Sequence, residues 1–205
     1  MNLLTQNQKI KDTGKAINEN KIFNFSIPAY KTNDGKITCP FADTCVKFCY
    51  AKKGNYKRFP AVGLAMEKKY KLTKLDNFVE LMHDEIKRKK AKIIRVHDSG
   101  DYYSPKYLNK WIRISLINPE VKFYSYTNSI KFIKDLKFIP DNFDFIFSDS
   151  GKQKNLIDIN NDRHTKIFKN ENDLIKAGYI NASKIDTNST KFFNPTNKKI
   201  GLIFH

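Results

Sequence analysis

At 205 residues the chain is long enough for one domain with a real hydrophobic core and too short for two of ordinary size. Its 38 Lys and Arg against 21 Asp and Glu give a formal charge of +17, enough to hold a polyanion by counterion release. No apolar run approaches the roughly 18 residues of a membrane span, and Met1-Asn2-Leu3-Leu4-Thr5-Gln6 lacks a signal peptide's long apolar centre, so no membrane partner and a cytoplasmic setting with reduced thiols are expected.

In chain order, residues 1–20 are polar and mixed, and 22–27 alternate as a strand ended by Pro28. A cysteine-bearing loop follows over 38–51. Two helices are predicted next, one within 59–75 and one over 76–90, where Phe78, Met82 and Ile86 recur at four-residue spacing. The run Lys87-Arg88-Lys89-Lys90 closes the second helix, where cations suit the carbonyl end of the dipole. Residues 93–96 read as a short buried strand running into His97-Asp98-Ser99-Gly100-Asp101.

Ser104 and Pro105 suit the N-cap and first position of a helix continuing through Trp111 to about 117, and a strand follows over 121–126 with Thr127-Asn128-Ser129 at its tip. A brief helix over 130–136 and a break at Pro140 precede a strand over 143–147 that ends in Ser148-Asp149-Ser150-Gly151. Beyond it come a strand near 167–168, a helix over 171–177 stopped by Gly178, a loop over 181–197 and a last strand over 200–204. Alternating strand and helix argues for an α/β fold with mainly parallel strands and crossover helices, whose sites lie beyond the carboxyl ends of the strands. The polar tips all fall there.

The only three cysteines, Cys39, Cys45 and Cys49, crowd one loop. An odd number cannot pair completely within the chain. A closed zinc site usually takes four protein ligands, whereas an iron-sulfur cluster on three cysteines leaves one iron open for a substrate or cofactor. Three free thiols, or zinc completed by a histidine such as His97, are the alternatives. Phe48 and Tyr50 could lean on a cofactor's adenine or pack the loop on the core.

His97 and Asp98 are candidates for proton transfer or a substrate clamp, although adjacent residues of an extended segment face opposite ways. Asp101 could cap the next helix, in competition with Ser104. Arg95 could pair with an inward acid or bind a carboxylate. Tyr126, Thr127, Asn128, Ser148, Asp149 and Ser150 offer hydroxyls, an amide and an acid as cavity lining. Tyr102, Tyr103 and Tyr107 could stack nucleobases or belong to the core. The basic charge makes nucleic acid the candidate partner, against the plainer reading that an A/T-rich genome accumulates surface lysine.

A cysteine cluster after the first strand, an aromatic beside its last cysteine and a small-small-acid tripeptide after the second strand together resemble the radical S-adenosylmethionine enzymes. That resemblance implies a partial (β/α) barrel and a four-iron four-sulfur cluster on Cys39, Cys45 and Cys49. It also implies S-adenosylmethionine at the open iron, with its amino group received by Ser99-Gly100-Asp101. The spacing here, C-x5-C-x3-C, is wider than the superfamily's usual C-x3-C-x2-C. The whole chain is similar to a phage family labelled gene product eighty-eight, through Leu3-Leu4-Thr5, Lys9, Phe25-Ser26-Ile27-Pro28, the cysteine loop, the stretch from Arg95 to Asp101 and the C-terminal Ile200-Gly201-Leu202-Ile203-Phe204-His205.

The expectation is a single-domain iron-sulfur protein, in the host cytoplasm if phage-encoded, that cleaves S-adenosylmethionine reductively for radical chemistry on a nucleotide, nucleic acid or other substrate. Such an enzyme needs a reductant. The alternative is a nonenzymatic phage protein whose metal stabilises the loop for nucleic-acid binding or host interaction.

Overall fold

The computed structural model describes residues 2–47, 49 and 58–204. Its strands are β1 (Ile22–Phe25), β2 (Ile93–Val96), β3 (Lys122–Thr127), β4 (Phe143–Ser148), β5 (His164–Phe168), β6 (Ile180–Asn181) and β7 (Lys199–Ile203). They form one sheet in the order β1-β2-β3-β4-β5-β7-β6, parallel at every pairing and curled into a half-barrel. The helices are α1 (Gln8–Ala16), α2 (Pro60–Lys74), α3 (Phe78–Lys89), α4 (Pro105–Leu116), α5 (Ile130–Lys134) and α6 (Glu171–Lys176).

Period-two alternation sorts each strand between two cores. Phe23, Phe25, Ile94, Val96, Phe123, Phe143, Phe145 and Phe147 face the helix layer, where Phe78, Met82 and Ile86 of α3 and Trp111 of α4 meet them. Each of these buried side chains contributes about 1.5–3 kcal/mol by leaving water. Ile22, Ile93, Tyr124, Ile146 and Ile200 face the other way and close on Ile10 of α1 and on Ala182. Local signals set the helix ends: Ser104 Oγ accepts the Tyr107 N–H at 3.2 Å with Pro105 first in α4, and Lys87, Arg88 and Lys89 occupy the last turn of α3.

Residues 1–20, polar and mixed in sequence, carry α1, whose Ile10 packs on the inner face of the half-barrel, while Leu3 and Leu4 ahead of it join the helix-side core. Asn7 caps the helix, its Oδ1 accepting the Ile10 N–H at 2.9 Å. The loop over 181–197 starts in the last residue of β6 and packs inward, with Asp186, Thr187 and Ser189 of its turn buried. Arg163 donates to the carbonyls of Ser189, Asn194 and Asn197 at 2.7–3.2 Å, so the backbone of this polar segment is satisfied internally rather than by water.

Candidate functional site: a thiol-lined cavity at the strand tips

A cavity of about 220 Å³ opens at the carboxyl ends of the parallel strands, the position expected for a site in this topology. Cys39, Cys45 and Cys49 all line it, together with Ser99, Gly100, Asp101, Asn128, Ser148 and Asp149. Phe48 and Tyr50 lie outside the described residues. Thr127 is buried, with its hydroxyl donated to Asp101 Oδ1 at 2.6 Å.

The cysteine loop is stitched to the tips of β2 and β4. Asp101 N–H donates to Thr38 O at 3.1 Å and Lys152 N–H to Phe41 O at 2.8 Å. Thr44 Oγ1 donates to Ser150 O at 3.1 Å, and Ala42 and Gly151 form an antiparallel bridge. Gly151 is required there, since a Cβ would overlap the Asn128 side chain. Gly100 is required twice over: its φ is +85°, and a Cβ would overlap Ile27.

Asp101 does not cap α4, a role that Ser104 takes. Its buried carboxylate instead accepts Tyr102 N–H at 2.8 Å, Thr127 Oγ1–H at 2.6 Å and Asn128 N–H at 2.9 Å, clipping the β2 tip to the β3 tip. Burial raises its pKa to about 6 against the pull of these bonds. Burial, and after it the charge of Asp101, push the Cys39 thiol up to about 12, while Tyr30 N–H donates to its Sγ at 3.3 Å. Burial also raises the Cys45 thiol, and Asn128 Nδ2 approaches its Sγ at 4.0 Å. Thiols held this way remain protonated unless a metal displaces the proton.

His97 borders the cavity, but its φ of 62° breaks the alternation of β2 and sends the ring into the helix-side core. There it lies among Phe25, Tyr102, Tyr107 and Trp111, with Nε2 at 2.9 Å from Tyr107 Oη. Burial pushes its pKa down to about 3, so the ring is neutral at physiological pH. Asp98 faces the inner side, where Oδ2 accepts Asn7 Nδ2–H at 2.7 Å and Oδ1 lies 3.2 Å from Arg95 Nη1. Tyr103 and Tyr107 stack on each other at 4.4 Å, and Tyr102 and Tyr107 are buried, so these rings pack the core instead of presenting faces to a nucleobase.

Sequence reasoning placed Lys9 only within the family resemblance and missed Asp186. Lys9 Nζ lies 2.9 Å from Asp186 Oδ1, Arg95 Nη1 lies 3.1 Å from Asp186 Oδ2, and Tyr124 Oη donates to Oδ2 at 2.6 Å. Burial alone would raise the Asp186 carboxyl, yet Arg95 and Lys9 hold it down at about 2. The inward acid that Arg95 called for is therefore Asp186, in a segment whose Asn, Ser and Thr content masked it.

Parallel strands curled into a half-barrel, with a three-thiol cavity at their carboxyl ends, define an α/β protein with one candidate ligand site at the strand tips. The chain belongs to the Gene product 88 family, whose sequence profile matches residues 1–203. Over 102 residues it is 35% identical to the Gene 88 protein of Mycobacterium phage L5 and to that of Mycobacterium phage D29. Each match covers 44% of this chain and 42% of the relative, so the matched stretch is less than half the length of either. No solved structure matches. These findings support the phage family and lend no support to the radical S-adenosylmethionine resemblance. Among the described residues, no three His, Cys, Asp or Glu side chains stand together in a group able to hold a metal ion, and no helix is long and apolar enough to cross a membrane.

Proposed function

We propose that this protein is an iron-sulfur protein of the radical S-adenosylmethionine type, acting on a substrate that reaches the strand-tip cavity. One observation carries the reading: three cysteines spread over eleven positions all line a single cavity, and Asp101 of the small-small-acid motif lines it with them. The donor set fits a cluster in kind, being three thiols in a partly buried site with Tyr30 N–H and Asn128 Nδ2 directed at two of the sulfurs. The thiols share the cavity without standing at ligand spacing, so the reading requires the loop to close further around the group it holds.

Cys39, Cys45 and Cys49 would be the ligands of a four-iron four-sulfur cluster. When bound and reduced, that group supplies the electron for cleaving S-adenosylmethionine at its open iron, the reductant being a separate partner. The chain's own residues position and shield. Donors from Tyr102, Thr127 and Asn128 fix the Asp101 carboxylate, an acceptor-only group when ionised, which suits it to accept an ammonium. Ile167 and Leu202 narrow the cavity with apolar surface.

The test is anaerobic purification with iron and sulfide analysis, then spectroscopy of the reduced protein with and without S-adenosylmethionine. About four irons per chain are expected by analogy with such clusters, together with a spectral change on adding S-adenosylmethionine. Changing Cys39, Cys45 or Cys49 to Ala should abolish the cluster. Stoichiometric zinc without sulfide overturns the reading, and a cluster indifferent to S-adenosylmethionine leaves only its iron-sulfur part.

A further inference from the structure

The charge of this chain is divided between its cavity and the rim. Inside the cavity, Asp98, Asp101, Asp149 and Asp186 outnumber Lys9 and Arg95, so the interior carries excess acid in a protein of net charge +17. The rim is the reverse. Lys47 follows Val46 of the cavity wall and is exposed, and Lys31 is exposed beside Tyr30 on the same wall. Across the opening, the exposed Lys152 is anchored by its backbone to Phe41 of the cysteine loop. Lys154 is exposed too and donates its N–H to Gly151 O at 3.3 Å. Against these four lysines, Asp34 and Asp43 are the exposed acids of the same segments.

A free phosphate or small polyanion entering this cavity would meet carboxylates, whereas a chain of phosphates lying across the opening would meet lysines. A nucleobase carries no phosphate and can pack on apolar surface such as Ile167, which is 38% exposed, and Leu202. A base stacked inside a duplex cannot reach a recessed cavity without being flipped out, and a single strand avoids that cost.

We propose that the substrate or ligand of this cavity is a single-stranded nucleic acid, its backbone held on the rim by Lys31, Lys47, Lys152 and Lys154 while one base enters. The inference rests on the strand-tip cavity being the functional site, and it names the class of partner that site takes. Binding at the rim is electrostatic and salt-dependent, and the base supplies the contact inside.

The test is fluorescence anisotropy of the full-length, anaerobically purified protein with a labelled single-stranded 12-mer, with unlabelled 12-mer, duplex, mononucleotide and anionic vesicles as competitors. Iron is measured in every sample. The rim variant Lys31→Gln/Lys152→Gln/Lys154→Gln is compared with Lys21→Gln/Lys87→Gln/Lys92→Gln, which removes the same charge at the amino-end side of the sheet, where Lys92 N–H donates to Lys21 O at 2.9 Å. The rim variant should bind at least about tenfold more weakly, and its slope of log K against log salt should fall by about 2, three single-strand contacts at about 0.7 each. The control variant should lose less than about threefold. Equal losses in the two variants overturn the inference and leave only global charge. So does competition by duplex, mononucleotide or vesicles as strong as that of the unlabelled 12-mer. An overturned rim with iron and sulfide intact leaves the cluster reading standing, and a protein without iron that still shows the rim effect leaves this inference standing.

Discussion

The sharpest prediction concerns His97, whose burial among aromatic rings commits it to being neutral in the folded state. An unfolded imidazole titrates near 6.5, whereas burial holds the folded one at about 3. The folded pKa is depressed, so the unfolded state takes up the proton first and stability is lost as pH falls below about 6.5, continuing until the folded ring titrates. Protonation favours the unfolded state by about 0.2 kcal/mol at pH 7 and by about 2 kcal/mol at pH 5, a loss of roughly 2 kcal/mol from this one group. For a chain of 205 residues, that corresponds to a fall of about 4–8 °C in Tm. The assay is urea unfolding of the wild type and of His97→Asn at pH 7 and pH 5. Asn tolerates the left-handed backbone at this position and does not titrate. The variant starts less stable by about 2–4 kcal/mol, because the ring leaves a cavity, but its pH dependence should be flatter by the 2 kcal/mol in question. Equal pH dependence in the two proteins, or an NMR titration of the His97 ring between pH 6 and 7, would refute the reasoning and return His97 to the cavity as a proton-transfer candidate.

Asp186→Asn leaves Lys9 and Arg95 facing a neutral amide at a buried site and should cost about 3–5 kcal/mol in chemical denaturation; a loss under about 1 kcal/mol would show that the ion pairs do not hold the inner face together. Gly100→Ala forces an L side chain into a left-handed backbone and against Ile27, so a loss of about 2–4 kcal/mol is expected in thermal or urea unfolding, and a neutral effect would contradict the close approach. Asp101→Asn turns an amide NH₂ toward a backbone N–H or the Thr127 hydroxyl and should lower stability by about 2 kcal/mol. Under the proposed function it also weakens S-adenosylmethionine binding at least about tenfold, read by titration of the reduced protein; unchanged affinity would confine Asp101 to clipping the two strand tips.

What the sequence made legible was local, and what it hid was assembled by the topology. β2 coincides with the predicted 93–96, and α3 with its Phe78, Met82 and Ile86 stripe falls within 76–90, because periodicity and caps are written in neighbouring residues. The gathering of the cysteine loop and the β2, β3 and β4 tips at one cavity was foreseen as well, since it follows from parallel strands alone. Three features escaped for distinct reasons. α1 has few apolar residues, yet Ile10 meets a face made by Ile22, Ile93, Tyr124 and Ile146, strands that are contiguous only after folding. His97 escaped because alternation presumes extended backbone, and one left-handed residue at the end of β2 reversed its direction. Asp186 escaped because its partner Arg95 lies 91 residues away, and because it stands in a loop whose Asn, Ser and Thr content gave no sign that its polar groups bond inward. The same reason separates cavity from rim: net charge is readable from composition, but its division into an acid-rich interior and a lysine-rich opening depends on which strand tips the sheet order brings side by side.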